Sequence, residues 1–207
     1  MAVTALGFFS VITAAGEEGA QKNKVTFSCD GGDLACWSIP DWAKGNPDYV
    51  GLSCVMTDKM ANNSCKSLDI ECDFSGSRWA AAIVECEKNI DISSYKTISA
   101  DIYSPESIPS DFMQARFVIT AGDWYFFENV KAFGLTKGKW TRVTAMLDKG
   151  SAGDDALWRC PNSKGKKLSD YITDVKKIGI RVEYNAGPKN AGPAYKGPIY
   201  IDNIEIE

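Results

Sequence analysis

Two short stretches set acids at alternate positions, "DIECD" at 69–73 and "ECE" at 85–87. On an extended strand such alternation brings the carboxylates to one face. A pair of carboxylates across a cleft is what hydrolysis of a glycosidic bond requires. The chain contains no histidine, which excludes Ser-His-Asp and Cys-His nucleophiles, HExxH zinc sites and histidine proton shuttles. Catalysis here would have to run on carboxylates, Tyr, Lys or Cys. Strand alternation accounts for both acidic stretches without a catalytic role, so the expectation is a protein that is not an enzyme.

Other polar residues gather by the same period. On "KKIGIRVEY" (176–184), Ile178, Ile180 and Val182 take one side, and Gly179, Arg181 and Glu183 the other. On "KTISADIY" (96–103), Asp101 and Tyr103 lie opposite Ile98, Ala100 and Ile102. On "MQARFVIT" (113–120), Arg116 lies opposite Ala115 and Phe117 and shares its side with Val118. Side by side, these strands would present a polar face of Asp101, Arg116, Arg181 and Glu183. That face could meet a ligand, or equally be a lattice of ion pairs on a solvated sheet. Of the six tryptophans, Trp37 beside Cys36 is expected to pack a loop. Trp42, Trp79, Trp124 and Trp158 are the candidates for an exposed platform, with ordinary core as the alternative for each. Trp79 has the strand parity of Glu85, and Trp124 opens a strand beside Tyr125.

The elements that would position these groups are short strands parted by Gly, Pro, Asp, Asn and Ser. "SLDIECDF" (67–74) alternates cleanly, and "SGSR" leads from it into "WAAAIVECE" (79–87), expected to be its hairpin partner. "MQARFVIT" and "WYFFENV" (124–130) are joined by "AGD", a hairpin connection. "KWTRVTAML" (139–147) and "PIYIDNIEI" (198–206) continue the rhythm. No segment carries a helical period longer than two turns. With 207 residues, 44% of them hydrophobic, this pattern predicts one all-β domain, a sandwich or barrel, over 23–207.

A net charge of −4 without basic runs argues against nucleic acid as partner. Seven cysteines lacking any C-x-x-C pair fit a disulfide-stapled, extracellular or cell-surface domain better than a zinc or redox site. Cys29–Cys36, Cys72–Cys86 and Cys54–Cys65 form one pairing scheme with Cys160 left over, among many others. Asn62-Asn63-Ser64 matches a glycosylation acceptor. The opening "MAVTALGFFSVITAA" is too short to span a bilayer as a helix. Residues 1–22 are expected to be a secretory leader or an apolar N-terminal strand. In the second case, insertion of residues 1–20 into a neighbour's sheet edge would make the protein a homo-oligomer, a filament or surface array.

The order of elements resembles the jelly-roll carbohydrate-binding modules appended to mannanases and β-glucanases, from about Val25 to Glu207. The resemblance rests on "VTFSCDGGDLACW", "CKSLDIECDF", "IDISSYKTISADIYSP", "GKWTRVTAML", "DVKKIGIRVEY" and "YKGPIYIDNIEIE" in that order. It implies a β-sandwich jelly roll of two antiparallel sheets that binds a β-linked polysaccharide of mannan or glucan type without cleaving it. It also implies Trp140 in the core and ligand contacts from Trp79, Asp101, Arg116, Trp124, Tyr125, Arg181 and Glu183. Finally, it implies a structural calcium held by Asp202 of the last strand with Asp30 or Asp33 of the "CDGGD" turn, since calcium takes six to eight oxygens.

Overall fold

The computed structural model describes residues 24–28, 33–108, 113–147, 157–186 and 192–207. Among them are β1 (Val25–Phe27), β2 (Trp37–Ser38), β3 (Gly51–Thr57), β4 (Ser67–Phe74), β5 (Ala80–Ile90), β6 (Thr97–Ser104) and β7 (Met113–Ala121). These are followed by β8 (Tyr125–Asn129), β9 (Phe133–Gly134), β10 (Lys139–Met146), β11 (Trp158–Arg159), β12 (Val175–Tyr184) and β13 (Tyr195–Ile206). The helical elements among the described residues are 3-10 turns such as Asp33–Cys36 and Leu168–Asp170.

The strands build two antiparallel sheets. One runs β10-β6-β13-β4-β3 with β1 also on β13, and the other runs β11-β8-β7-β12-β5-β2 with β9 on β7. The expected all-β sandwich is therefore present. Period-2 alternation decides which side chains fill the space between the sheets. Leu68, Ile70 and Phe74 of β4, with Ile98, Ala100 and Ile102 of β6, face Phe117 and Ile119 of β7 and Ile178, Ile180 and Val182 of β12 in one core. Each large aliphatic or aromatic side chain buried this way contributes about 1.5–3 kcal/mol. The hairpin expected across "AGD" is observed, with β7 and β8 paired from Val118↔Glu128 to Ala121↔Tyr125.

The hairpin expected across "SGSR" is not. β4 belongs to the first sheet and β5 to the second, so the turn crosses the sandwich. Alternation fixes which face a residue takes, not which strand lies beside it, and both strands keep their expected inward faces.

The cysteine pairing scheme fails for the same reason. Cys36 is bonded to Cys86, tying the Asp33–Cys36 turn to β5. Cys65 is also disulfide-bonded, but not to Cys54, which is a free thiol like Cys72 and, as expected, Cys160. Cys72 donates its Sγ to the Gly197 carbonyl at 3.1 Å. Burial pushes the Cys54 thiol up to about 12 and that of Cys72 up as well. Cys29 and residues 1–22 lie outside the described residues, so the expectations attached to them do too.

Trp140 is not a core residue. It stands half-buried on the outer face of the first sheet, its ring 5.5 Å from that of Tyr103, which in turn lies 6.1 Å from Tyr200 in the same cross-strand row. Trp158, a platform candidate, is buried instead, its indole N–H donated to the Met146 carbonyl at 2.8 Å.

The acid and amide at the centre of the last strand form a bulge. The β13–β6 register shifts between Asp202 and Glu205, and Asn203 takes φ 47°, a left-handed conformation that Asn tolerates better than most residues.

Candidate functional site

The outer face of the second sheet carries residues in cross-strand rows. One row sets Glu87 of β5, Lys177 of β12, Thr120 of β7 and Phe126 of β8 side by side. The next sets Glu85, Gly179, Val118 and Glu128 in the same order. A third places Ile83, Arg181 and Arg116 together, and a fourth Ala81, Glu183 and Gln114. Gly179 keeps this floor level, because a Cβ there would sit 2.4 Å from Val118 Cγ2 and 3.0 Å from Glu85 Cγ.

The charged part of the floor is a chain of ion pairs. Arg159 Nε donates to Glu128 Oε1 at 2.6 Å, and Arg181 Nη2 to Glu128 Oε2 at 2.5 Å. Arg181 Nε donates to Glu183 Oε1 at 2.8 Å, while Gln114 Nε2 reaches Glu183 Oε2 at 2.9 Å. Arg116 closes the chain, its Nε 3.2 Å from Glu183 Oε1. Burial alone would push the Glu128 carboxyl up, but Arg181 and Arg159 outweigh it and hold it below the ordinary carboxylate value. Burial works against the Arg181 charge too, and Glu183 and Glu128 more than restore it. Arg116, Arg181 and Glu183 were expected to converge, and they do. They are occupied mainly with one another, so they shape and stiffen the floor.

Over the floor stands a wall of aromatic rings. Trp79 packs edge-on against Tyr49 at 6.2 Å, Tyr49 against Trp42 at 4.8 Å, and Trp42 against Phe126 at 6.4 Å. The Arg181 guanidinium lies 5.8 Å from the centre of the Trp79 ring, a cation–π contact that ties wall to floor. Trp42 and Tyr49 come from the segment joining β2 to β3, folded across the sheet by backbone bonds from Val50 N to Ala81 O and from Ala81 N to Asp48 O. Trp42, Tyr49, Phe126, Glu128, Arg159, Pro161 and Arg181 line an open groove of about 660 Å³. A smaller one of about 180 Å³ adjoins it, sharing Trp42 and Phe126 and adding Glu85, Thr120, Trp124 and Lys177. Trp42 is 46% and Trp124 57% exposed, so both indoles offer apolar surface to whatever enters.

Trp124 is held in place by its turn. It has φ 63°, an outlier for a bulky residue and of the kind that collects at ligand clamps. Gly122 before it has φ 57°, and a Cβ there would lie 2.4 Å from the Tyr171 ring. Asn162 fastens the turn from below, accepting the Phe126 N–H at 3.0 Å and donating to the Trp124 carbonyl at 3.3 Å.

Two expected contact residues lie elsewhere. Tyr125 alternates away from Phe126 and packs on Tyr171 at 4.8 Å, under Lys166. Asp101 is on β6 of the first sheet, paired with Asp202, on the other side of the sandwich from Arg116 and Arg181. Parity along β8 could have found Phe126 and Glu128, which share the side of Trp124. Trp42, a platform candidate, does stand exposed over this face, whereas nothing in the local pattern marks Tyr49, because a loop has no period.

Asp202 is fully buried. Its Oδ2 accepts the Asn62 N–H at 2.7 Å and the Ser64 hydroxyl at 2.6 Å, and its Oδ1 accepts the Asn203 N–H at 2.7 Å. Asp101 Oδ2 beside it accepts the side-chain amides of Asn62 and Asn203 at 2.9 and 2.8 Å. Donors aimed at carboxylates do not suit a cation that needs oxygens, and no group of three or more His, Cys, Asp or Glu among the described residues could hold a metal. In the described residues both oxygens of Asp202 are thus taken by protein donors. Asp30 lies outside them, as does the side chain of Asp33. The Asn62 amide of the acceptor pattern is itself engaged in this knot.

No protein-family model matches the sequence, and no curated protein matches it either. Solved structures do. A carbohydrate-binding module described as specific for non-crystalline cellulose superposes with a TM-score of 0.57 at 13% identity, over 87% of this chain and 92% of that one. A structure from work on the promiscuous specificity of carbohydrate-binding modules of the β-sandwich superfamily gives 0.53 at 15% identity, over 87% of this chain and 60% of that one. The chain thus has the β-sandwich fold of carbohydrate-binding modules.

Proposed function

We propose that this chain is a non-catalytic carbohydrate-binding module that holds a β-linked polysaccharide of the mannan or glucan type along the groove under Trp42. The observation that carries this reading is the cavity of about 660 Å³, in which exposed aromatic faces stand over a preformed polar floor. Sugars have apolar ring faces and hydroxyl rims, so a site for them pairs aromatic surface with a few fixed hydrogen-bonding groups. The locked ion-pair chain supports binding without catalysis. Arg181 and Arg159 hold the Glu128 carboxyl below its ordinary value, the opposite of what a general acid needs, and Glu183 is tied to Arg181, Arg116 and Gln114. The disulfides support an extracellular or cell-surface setting. Among the described residues no helix is long and apolar enough to cross a membrane.

Native affinity electrophoresis against soluble glucan, galactomannan and xylan tests the reading. Retardation by at least one β-linked polysaccharide, weakened in Trp42→Ala, is the expected result. A protein that none of them retards would overturn it.

A further inference from the structure

The smaller cavity holds the least satisfied charged group on this face. Glu85 is 6% exposed, and its buried Oε2 accepts no hydrogen bond from the described residues. Lys177 Nζ stands 3.8 Å from that oxygen but 3.3 Å from Glu87 Oε2, so one ammonium is divided between two carboxylates. Burial pushes the Glu85 carboxyl up, and Lys177 and the Trp42 indole only partly draw it back. A buried, under-solvated carboxylate costs stability and calls for a use. Here it lines a cavity of about 180 Å³ between the two most exposed tryptophans of the groove, one of them fixed in a left-handed turn.

We infer that the Glu85 cavity is a second sugar subsite, in which Glu85 accepts hydroxyl hydrogen bonds from a neutral sugar ring seated between Trp42 and Trp124. This rests on the proposed function and assigns the smaller cavity its own role within it. A ring there brings hydroxyl donors to a carboxylate acceptor, and the charge-assisted bond is stronger than one between neutral groups. Lys177, whose Nζ is 5.7 Å from the Trp124 ring centre, donates to sugar oxygens from the other wall. Glu85 and Glu87 outnumber the single Lys177, so a uronate carboxylate meets like charge here, whereas a neutral hexose does not. The two cavities share Trp42 and Phe126, so one chain can occupy both, with the second subsite engaged only by longer oligosaccharides.

The test is tryptophan-fluorescence titration of wild type, Glu85→Gln and Trp124→Ala with β-linked gluco- and manno-oligosaccharides of two to six residues, and with polygalacturonate. For the oligosaccharide series that wild type binds, Glu85→Gln should weaken the longest member by about tenfold or more. It should leave the shortest bound member unchanged and should not lower Tm, since it removes a buried charge that its surroundings disfavour. Trp124→Ala should show the same dependence on length. Equal affinities of wild type and both variants for every length would overturn the subsite while leaving the groove reading intact. Wild type binding polygalacturonate as tightly as a neutral glycan would overturn the charge argument. Absence of any binding by wild type would remove the proposed function and the subsite together. If Glu85→Gln does not fold, the length dependence of Trp124→Ala, on an exposed side chain, decides.

Discussion

Asp202 shows how one buried carboxylate can organise a region. Its two oxygens take three donors from the Asn62–Ser64 loop and from its own bulge, and hydrogen bonds to a charged group are each worth about 1.5–3 kcal/mol. Asp202→Ala orphans those donors, so urea unfolding should show a loss of about 3 kcal/mol or more. If these protein donors are all that Asp202 needs, a chelator should leave the Tm of wild type unchanged. A fall in Tm with chelator, reversed by calcium, would instead return a metal to this end of the molecule. At this scale the sequence was partly legible. Arg116, Arg181 and Glu183 could be assigned to one face because a strand alternates, although the same reasoning added Asp101, which lies on the other sheet, and Asp202 stands out because it interrupts the isoleucines of the last strand. Its partners could not be read, since Asn62 is 140 residues away along the chain and is placed by the fold alone.

Strands and their faces were the most legible elements, and connections between them the least. "SLDIECDF" announces an inward Leu68, Ile70, Cys72 and Phe74, yet nothing in it says that β13 and β3, not β5, flank it. The cysteine pairing inherited that ambiguity. The Cys36–Cys86 bond spans a sequence separation of 50, and a loop of that size is worth about 4 kcal/mol through the unfolded chain. Reducing the protein should lower Tm by many degrees, and Cys36→Ser with Cys86→Ser should do so without reductant. Unaltered melting of that double variant would mean the bond does not constrain the unfolded state. The turn after β7 carries another testable element. Asn162→Ala removes both side-chain bonds that hold the Trp124 turn. Affinity for longer oligosaccharides should fall several-fold, with stability changed by about 1 kcal/mol. Equal losses for short and long oligosaccharides would contradict a role confined to the Trp124 end.

Taken whole, the molecule divides its labour between its two outer faces. The first sheet carries the Asp202 knot, the row of Trp140, Tyr103 and Tyr200 and ion pairs such as Lys24 Nζ to Glu205 Oε1 at 2.7 Å. The second is roofed by the β2–β3 segment into a groove whose floor is rigid because its charges answer one another. Fold class and the polar floor could be read from alternation, whereas the groove itself could not, because its roof is a loop. On the proposed function, this groove binds a β-linked polysaccharide through the Trp42 face. Isothermal titration of wild type and Trp42→Ala with the soluble polysaccharide that retards wild type most tests it directly. Wild type should bind saturably and the variant should lose about 2 kcal/mol or more, with both proteins melting at similar temperatures. Identical affinities for the two would contradict it.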